Sequence, residues 1–180
     1  TGQGSVLSPL LANIYLHYVV DQWTDQWRQD AGGDVIIVRY ADDAVIGFQH
    51  QYEAEKFLKD LRERLRQYGL ELNEDKTRLI RFGRYARQNR DERGEGKPEA
   101  FTFLGLQHIC AENSLGRFEI RRITDGDRRR KKLQAIKQEL RRRMHEPMAQ
   151  VGGWLRSVLN GYYQYHAVPG NLPVLSRFRR

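Results

Sequence analysis

Residues 38–48 read VRYADDAVIGF, and the Asp42–Asp43 doublet inside that apolar run constrains the fold more than any other feature. Adjacent carboxylates repel each other and resist burial, so the chain cannot pass through them as one covered strand. The flanks VIIVRY and AVIGF are rich in β-branched residues, which predicts two antiparallel strands joined by a tight turn. Both strands are apolar enough to be covered on both faces. An ordinary β-turn also uses aspartate, which tolerates turn geometry and caps its own backbone. Hairpin turns favour glycine or asparagine, however, and YADDA has neither. A cation would relieve the repulsion. Magnesium takes oxygen ligands, with carboxylates as its usual protein anchors beside substrate phosphates. Two such ions activate a hydroxyl and stabilise a leaving oxygen in phosphoryl transfer.

Around this hairpin the pattern is α+β. SPLLANIYLHYVVDQWTDQW predicts a well-buried helix with Ser8 as N-cap and Pro9 at the first helical position. Leu16, Val19, Trp23 and Trp27 form its stripe, widened by Leu10, Leu11, Ile14 and Val20. EAEKFLKDLRERLRQYG is an amphipathic helix stopped by Gly69. LEL and KTRLIRF are expected as short strands, residues 83–100 as a polar surface loop, and FTFLGLQHI and RFEIRRI as further strands. TDGD at 124–127 starts a helix with Leu133, Ile136, Leu140 and Met144 on one stripe, and an aromatic segment begins at Pro147. A domain boundary is expected near residue 125.

Charge narrows the partners. Lysine and arginine number 31 against 23 acidic residues, a net charge of +8, which favours polyanions, chiefly nucleic acid. The excess concentrates in residues 121–145, with Arg128, Arg129, Arg130, Lys131, Lys132, Arg141, Arg142 and Arg143 as candidate backbone-phosphate contacts. Trp154, Tyr162, Tyr163 and Tyr165 could stack on bases, but their spacing also suits helix packing. The lone Cys110 permits no internal disulfide, reads as a small core residue and makes a reducing, cytoplasmic setting the expectation. No run approaches the roughly 20 apolar residues of a membrane span, so no membrane partner is expected.

YADD (residues 40–43) resembles the active-site box of reverse transcriptases, and the order of the surrounding boxes is similar to the bacterial group II intron-encoded class. GQGSVLSPLLANIYL resembles the block before it, GLELNEDKT the block after it, FLGL (residues 103–106) the primer-grip block, and WLRSVLNGYYQYHAVPGN the thumb or maturase region. The resemblance implies a partial palm over 1–125 and a helical thumb over 126–180. It implies that Asp42 binds catalytic Mg2+ with Asp43 beside it as a second carboxylate, and that Tyr40 and Ala41 lie under the primer end and incoming nucleotide. Gln3 and Gly4 would line the nucleotide pocket, Lys76 would lie near the departing pyrophosphate, and Leu104 and Gly105 would support the primer. The implied partners are an RNA template, a DNA primer, dNTPs and intron RNA.

A two-ion palm site also needs an aspartate from a strand that precedes the QG block in this family. Asp21, Asp25, Asp30 and Asp34 fall on a helix or its terminal loop and substitute poorly. The expectation is therefore the later part of a longer enzyme, without fingers and inactive alone. A non-catalytic maturase that assists splicing, or a bacterial defence reverse transcriptase, would share most of these features.

Overall fold

Apolar residues three and four positions apart make one helical run of the N-terminal segment: α1 (Leu7–Leu16), a π-helical turn (His17–Asp21) and α2 (Gln22–Trp27). The computed structural model describes residues 7–179. In the wide π turn the Gln22 N–H reaches back to the His17 carbonyl, and the Arg64 Nε donates to the Val19 carbonyl at 3.2 Å. The helix already runs at Leu7, so Ser8 lies within the first turn and not at the cap. The expected burial holds for only part of the run. Val19, Val20 and Thr24 are buried, whereas Leu7, Leu10, Leu11 and Ile14 are exposed. At about 100° per residue those four fall on the side of the helix opposite Leu16, Val20, Trp23 and Trp27. One helix cannot turn both sides to one core.

The chain divides into two compact units, Thr1–Ile80 and Arg81–Arg180. The palm–thumb boundary expected at 125 falls inside the second. In the first unit, β1 (Val35–Tyr40) and β2 (Asp43–Phe48) form the antiparallel hairpin expected around the doublet. Helix α3 (Gln51–Gln67) closes the core, where Val19, Val20, Phe57, Leu61 and Leu65 are buried against Trp23, Trp27, Ile37, Ile46 and Phe48. Phe57 is the centre, its ring 5.0 Å from Trp27, 5.2 Å from Trp23 and 5.1 Å from Phe48. The hairpin is covered on one face only. Ile36, Val38 and Tyr40, alternating along β1, are 64%, 50% and 65% exposed, which corrects the expectation of two covered faces. Residues 70–82 contain no strand. LEL and KTRLIRF have the residue types, but a strand also needs a ladder partner, and none pairs there.

In the second unit, β3 (Phe101–Phe103), β4 (Leu106–Glu112) and β5 (Phe118–Thr124) form an antiparallel sheet in that order. The stretch expected as a loop carries a short helix, α4 (Ala86–Asp91). Cys110 is half-buried on β4, its Sγ accepting from the Gly83 N–H at 3.3 Å, and not a full core residue. Three helices follow: α5 (Gly126–Arg142), α6 (Met148–His166) and α7 (Leu172–Arg179). Asp125 caps α5, its carboxylate accepting from the Arg128 N–H at 3.0 Å, so the TDGD reading holds. Of the α5 stripe, only Ile136 packs against the buried cluster of Tyr162, Leu175 and Phe178. Antiparallel sheets and packed helices make the fold class α+β, as expected.

Sheet and helices of this unit are joined by a buried polar knot. The Asn171 Oδ1 accepts from the Thr124 N–H at 2.9 Å, while its Nδ2 donates to the Thr124 Oγ1 at 2.7 Å and the His166 carbonyl at 2.8 Å. The His166 Nδ1 lies 3.3 Å from the Thr124 hydroxyl. Burial, and then the charge of Arg128, lower the His166 pKa from 6.5. The unfolded chain therefore takes up the proton first, and this share of stability, complete above about pH 6.5, is lost as pH falls through that value. His108 shifts in the same direction, again chiefly by burial. The thermal midpoint is expected to drop between about pH 7.5 and 5.5, where unperturbed imidazoles titrate, and His166→Gln to flatten part of that slope. An equally steep slope in the variant would contradict the assignment.

Candidate active site

The strands bring the acidic doublet to a hairpin tip. Tyr40 pairs with Asp43, which leaves Ala41 and Asp42 as the two central turn residues. Ala41 has φ +53°, the left-handed conformation that type II′ turns need at their first central position. A small side chain there limits the steric penalty, so alanine does what glycine usually does. Both aspartates are exposed. Neither side chain has an ion-pair or hydrogen-bond partner among the described residues.

What fixes this strained tip is a residue that sequence reasoning passed over. Arg39 occupies an inward position of β1 and grips Asp21 with its fork, Nε to Oδ1 at 2.7 Å and Nη2 to Oδ2 at 2.6 Å. Its Nη1 donates to the Asn13 Oδ1 at 3.0 Å and, at 2.7 Å, to the Ala41 carbonyl in the turn itself. The guanidinium thus ties the tip to the N-terminal helices. Asp21 is held below the ordinary 3.8, first by the Arg39 hydrogen bond. The stability it adds is present above about that pH and lost as pH falls through its lowered folded value. The signal was there in VIIVRY: an arginine in phase with Val35 and Ile37 on the covered face requires a carboxylate. Arg39→Met is expected to lower unfolding free energy by about 2 kcal/mol and to speed amide exchange at residues 41–43. A denaturant titration with exchange readout checks both.

Lys76 stands on a separate turn after α3. Its N–H donates to the Asn73 carbonyl at 3.1 Å, and the Thr77 Oγ1 donates to the same oxygen at 2.8 Å. Glu74 anchors the turn to α3 through two 2.9 Å bonds from Arg62. The Lys76 side chain is exposed, with no carboxylate at ion-pair distance among the described residues. Gln3 and Gly4 lie outside the described residues.

Leu104 and Gly105 are the central residues of a second two-residue turn, between β3 and β4. Both have positive φ, +49° and +75°, as type I′ turns require. The basic residues separate by environment. Arg130 pairs with Asp127, Arg142 and Arg143 with Glu139, and Arg143 also with Glu146. Arg128, Arg129, Lys131, Lys132 and Arg141 have no carboxylate at ion-pair distance among the described residues. Arg128 and Lys132 line a groove of about 460 Å³ with Ser157, Tyr162, Tyr165 and His166. The two basic clusters stand at opposite ends of α5, about 20 Å apart at 1.5 Å per residue. Of the aromatics, Tyr162 is buried and stacks on Phe178 at 4.0 Å, the Trp154 ring lies under Arg143, and Tyr165 is exposed.

A family model for reverse transcriptase (RNA-dependent DNA polymerase) matches residues 1–108, more than half of the chain. The chain belongs to the reverse transcriptase family. No curated protein matches it. The matched stretch of this reverse transcriptase includes the Ala41–Asp42 turn, Lys76 and the Leu104–Gly105 turn, and it ends before α5. Among the described residues no group of three histidine, cysteine, aspartate or glutamate side chains comes together, and no helix is long and apolar enough to cross a membrane.

Proposed function

We propose that this reverse transcriptase is an RNA-directed DNA polymerase of the group II intron-encoded type, extending a DNA primer on an RNA template and also holding intron RNA. One observation carries the catalytic part: an exposed carboxylate doublet without a cation partner among the described residues, on a turn whose backbone is fixed by Arg39. Carboxylate oxygens suit magnesium. With no third side-chain ligand among the described residues, the remaining ligands have to come from substrate, water or another carboxylate. Asp42 and Asp43 would hold Mg2+, which supplies activation of the primer 3′-hydroxyl and stabilisation of the leaving oxygen.

The chain's own groups do the rest. Tyr40 and Ala41 present the turn to the primer end and nucleotide, with Gln3 and Gly4 lining the nucleotide pocket. Lys76 offers an ammonium without an ion-pair partner among the described residues to the departing pyrophosphate. Arg128, Arg129, Lys131, Lys132 and Arg141, with no carboxylate at ion-pair distance among the described residues, contact phosphates from a thumb spanning 126–180, while Arg130, Arg142 and Arg143 reach nucleic acid by exchanging their neighbouring carboxylates. The intron-type assignment rests on the order of the YADD, ELNEDKT, FLGL and WLRSVLNGYY segments. A scaffold-only splicing factor has no use for an unneutralised doublet. The deciding experiment is Asp42→Asn, read by metal binding and by templated extension.

A further inference from the structure

Leu104 is one of two residues other than glycine with positive φ among the described residues. The left-handed conformation disfavours a leucine, and it persists only where surroundings enforce it. Here the enforcement comes from the C-terminal helices. The Tyr165 hydroxyl, on α6, donates to the Leu104 carbonyl at 2.7 Å. The Asp125 N–H, at the start of α5, donates to the Gly105 carbonyl at 3.2 Å. Arg128 then lies across Gly105, its Nη1 3.0 Å from where a β-carbon would stand. Both carbonyls of the turn are therefore taken by residues some 20 and 60 positions further along the chain, one the N-cap of α5 and the other on α6.

We infer that Tyr165 is a positioning residue, a latch that holds the Leu104–Gly105 turn in its left-handed form and lets α6 set the pose of the backbone that supports the primer. The functional half rests on the polymerase reading of that turn. The ring of Tyr165 is largely exposed, so its hydroxyl contributes more to the turn than its ring does to the core.

Tyr165→Phe keeps the ring and removes the latch. In this chain, amide exchange at residues 104–106 is expected to quicken about tenfold, the loss of one hydrogen bond, with the thermal midpoint nearly unchanged. In templated extension by an enzyme that also supplies the preceding strand aspartate, the primer KM is expected to rise about five- to tenfold while kcat changes less than about twofold, the signature of lost ground-state binding. Adding Leu104→Gly, which takes positive φ without penalty, should return exchange most of the way to wild type. Unchanged exchange in Tyr165→Phe, or no recovery in the double variant, overturns the latch. Faster exchange with an unchanged primer KM overturns the primer-support role while leaving the geometry of the latch intact. Absence of extension by an unsubstituted enzyme that also supplies the preceding strand aspartate is instead a failure of the polymerase reading, and exchange then decides the latch by itself.

Discussion

Asp42→Asn abolishes metal binding at the hairpin tip and, in an enzyme that also supplies the preceding strand aspartate, lowers templated extension by at least about 1,000-fold, while the protein remains as stable as the parent. The rate expectation follows from the several kcal/mol that a bound divalent ion contributes to a phosphoryl-transfer transition state, each 1.4 kcal/mol being a factor of ten. The stability expectation follows from the structure. Asp42 is exposed and has no cation partner among the described residues, and it stands beside Asp43, so removing its charge relieves repulsion and breaks no contact. A structural turn aspartate would behave in the opposite way, losing stability and sparing chemistry. Mn2+ titration followed by paramagnetic broadening of the amides around Ala41 measures the first effect without any need for turnover. Broadening that survives in Asp42→Asn would remove the doublet from the catalytic account.

Asn171→Ala is expected to cost about 4 kcal/mol, the largest stability loss of any single polar substitution in the second unit. Asn171 is wholly buried. Its amide satisfies the Thr124 N–H, the Thr124 hydroxyl and the His166 carbonyl at once. Truncation leaves those groups inside the protein without partners, at about 1–3 kcal/mol for each unsatisfied group, and opens a small void besides. Because Thr124 ends β5 and His166 ends α6, the loss falls on the junction between sheet and helices. Urea unfolding gives the value. A change below about 1 kcal/mol, the range of ordinary surface substitutions, would mean that water replaces the amide there.

The hairpin was legible because its signals are local: β-branched flanks, a period of two, and an acidic pair that only a turn could accommodate. The start of α5 was legible for the same reason, Asp125 being three residues ahead of a basic helical run. The clamp on the tip was not. Arg39 finds Asp21 eighteen residues away in sequence, a pairing that neither period nor propensity encodes. The segments 70–72 and 76–82 show the converse error. Their composition suits strands, but pairing is a tertiary property, and the chain satisfies Asn73, Lys76 and Thr77 with a turn instead. Coverage of the hairpin failed in the same way, since apolar strands announce what they tolerate and not what is laid against them. Tyr165 was weighed as a stacking or packing ring, and its hydroxyl bond to a carbonyl sixty-one residues earlier has no signature in sequence.

The β1–β2 ribbon has a practical corollary for anyone handling this chain. Among the described residues its strands form ladders only with each other, so neither outer margin has a further strand paired to it there, and isoleucine, valine and tyrosine of β1 are exposed on one face. Two such margins are templates for any passing extended segment. Purified at high concentration the protein will therefore tend to zip onto its neighbours along this ribbon, and a lysine placed at Val38 would be the simplest means of keeping it apart.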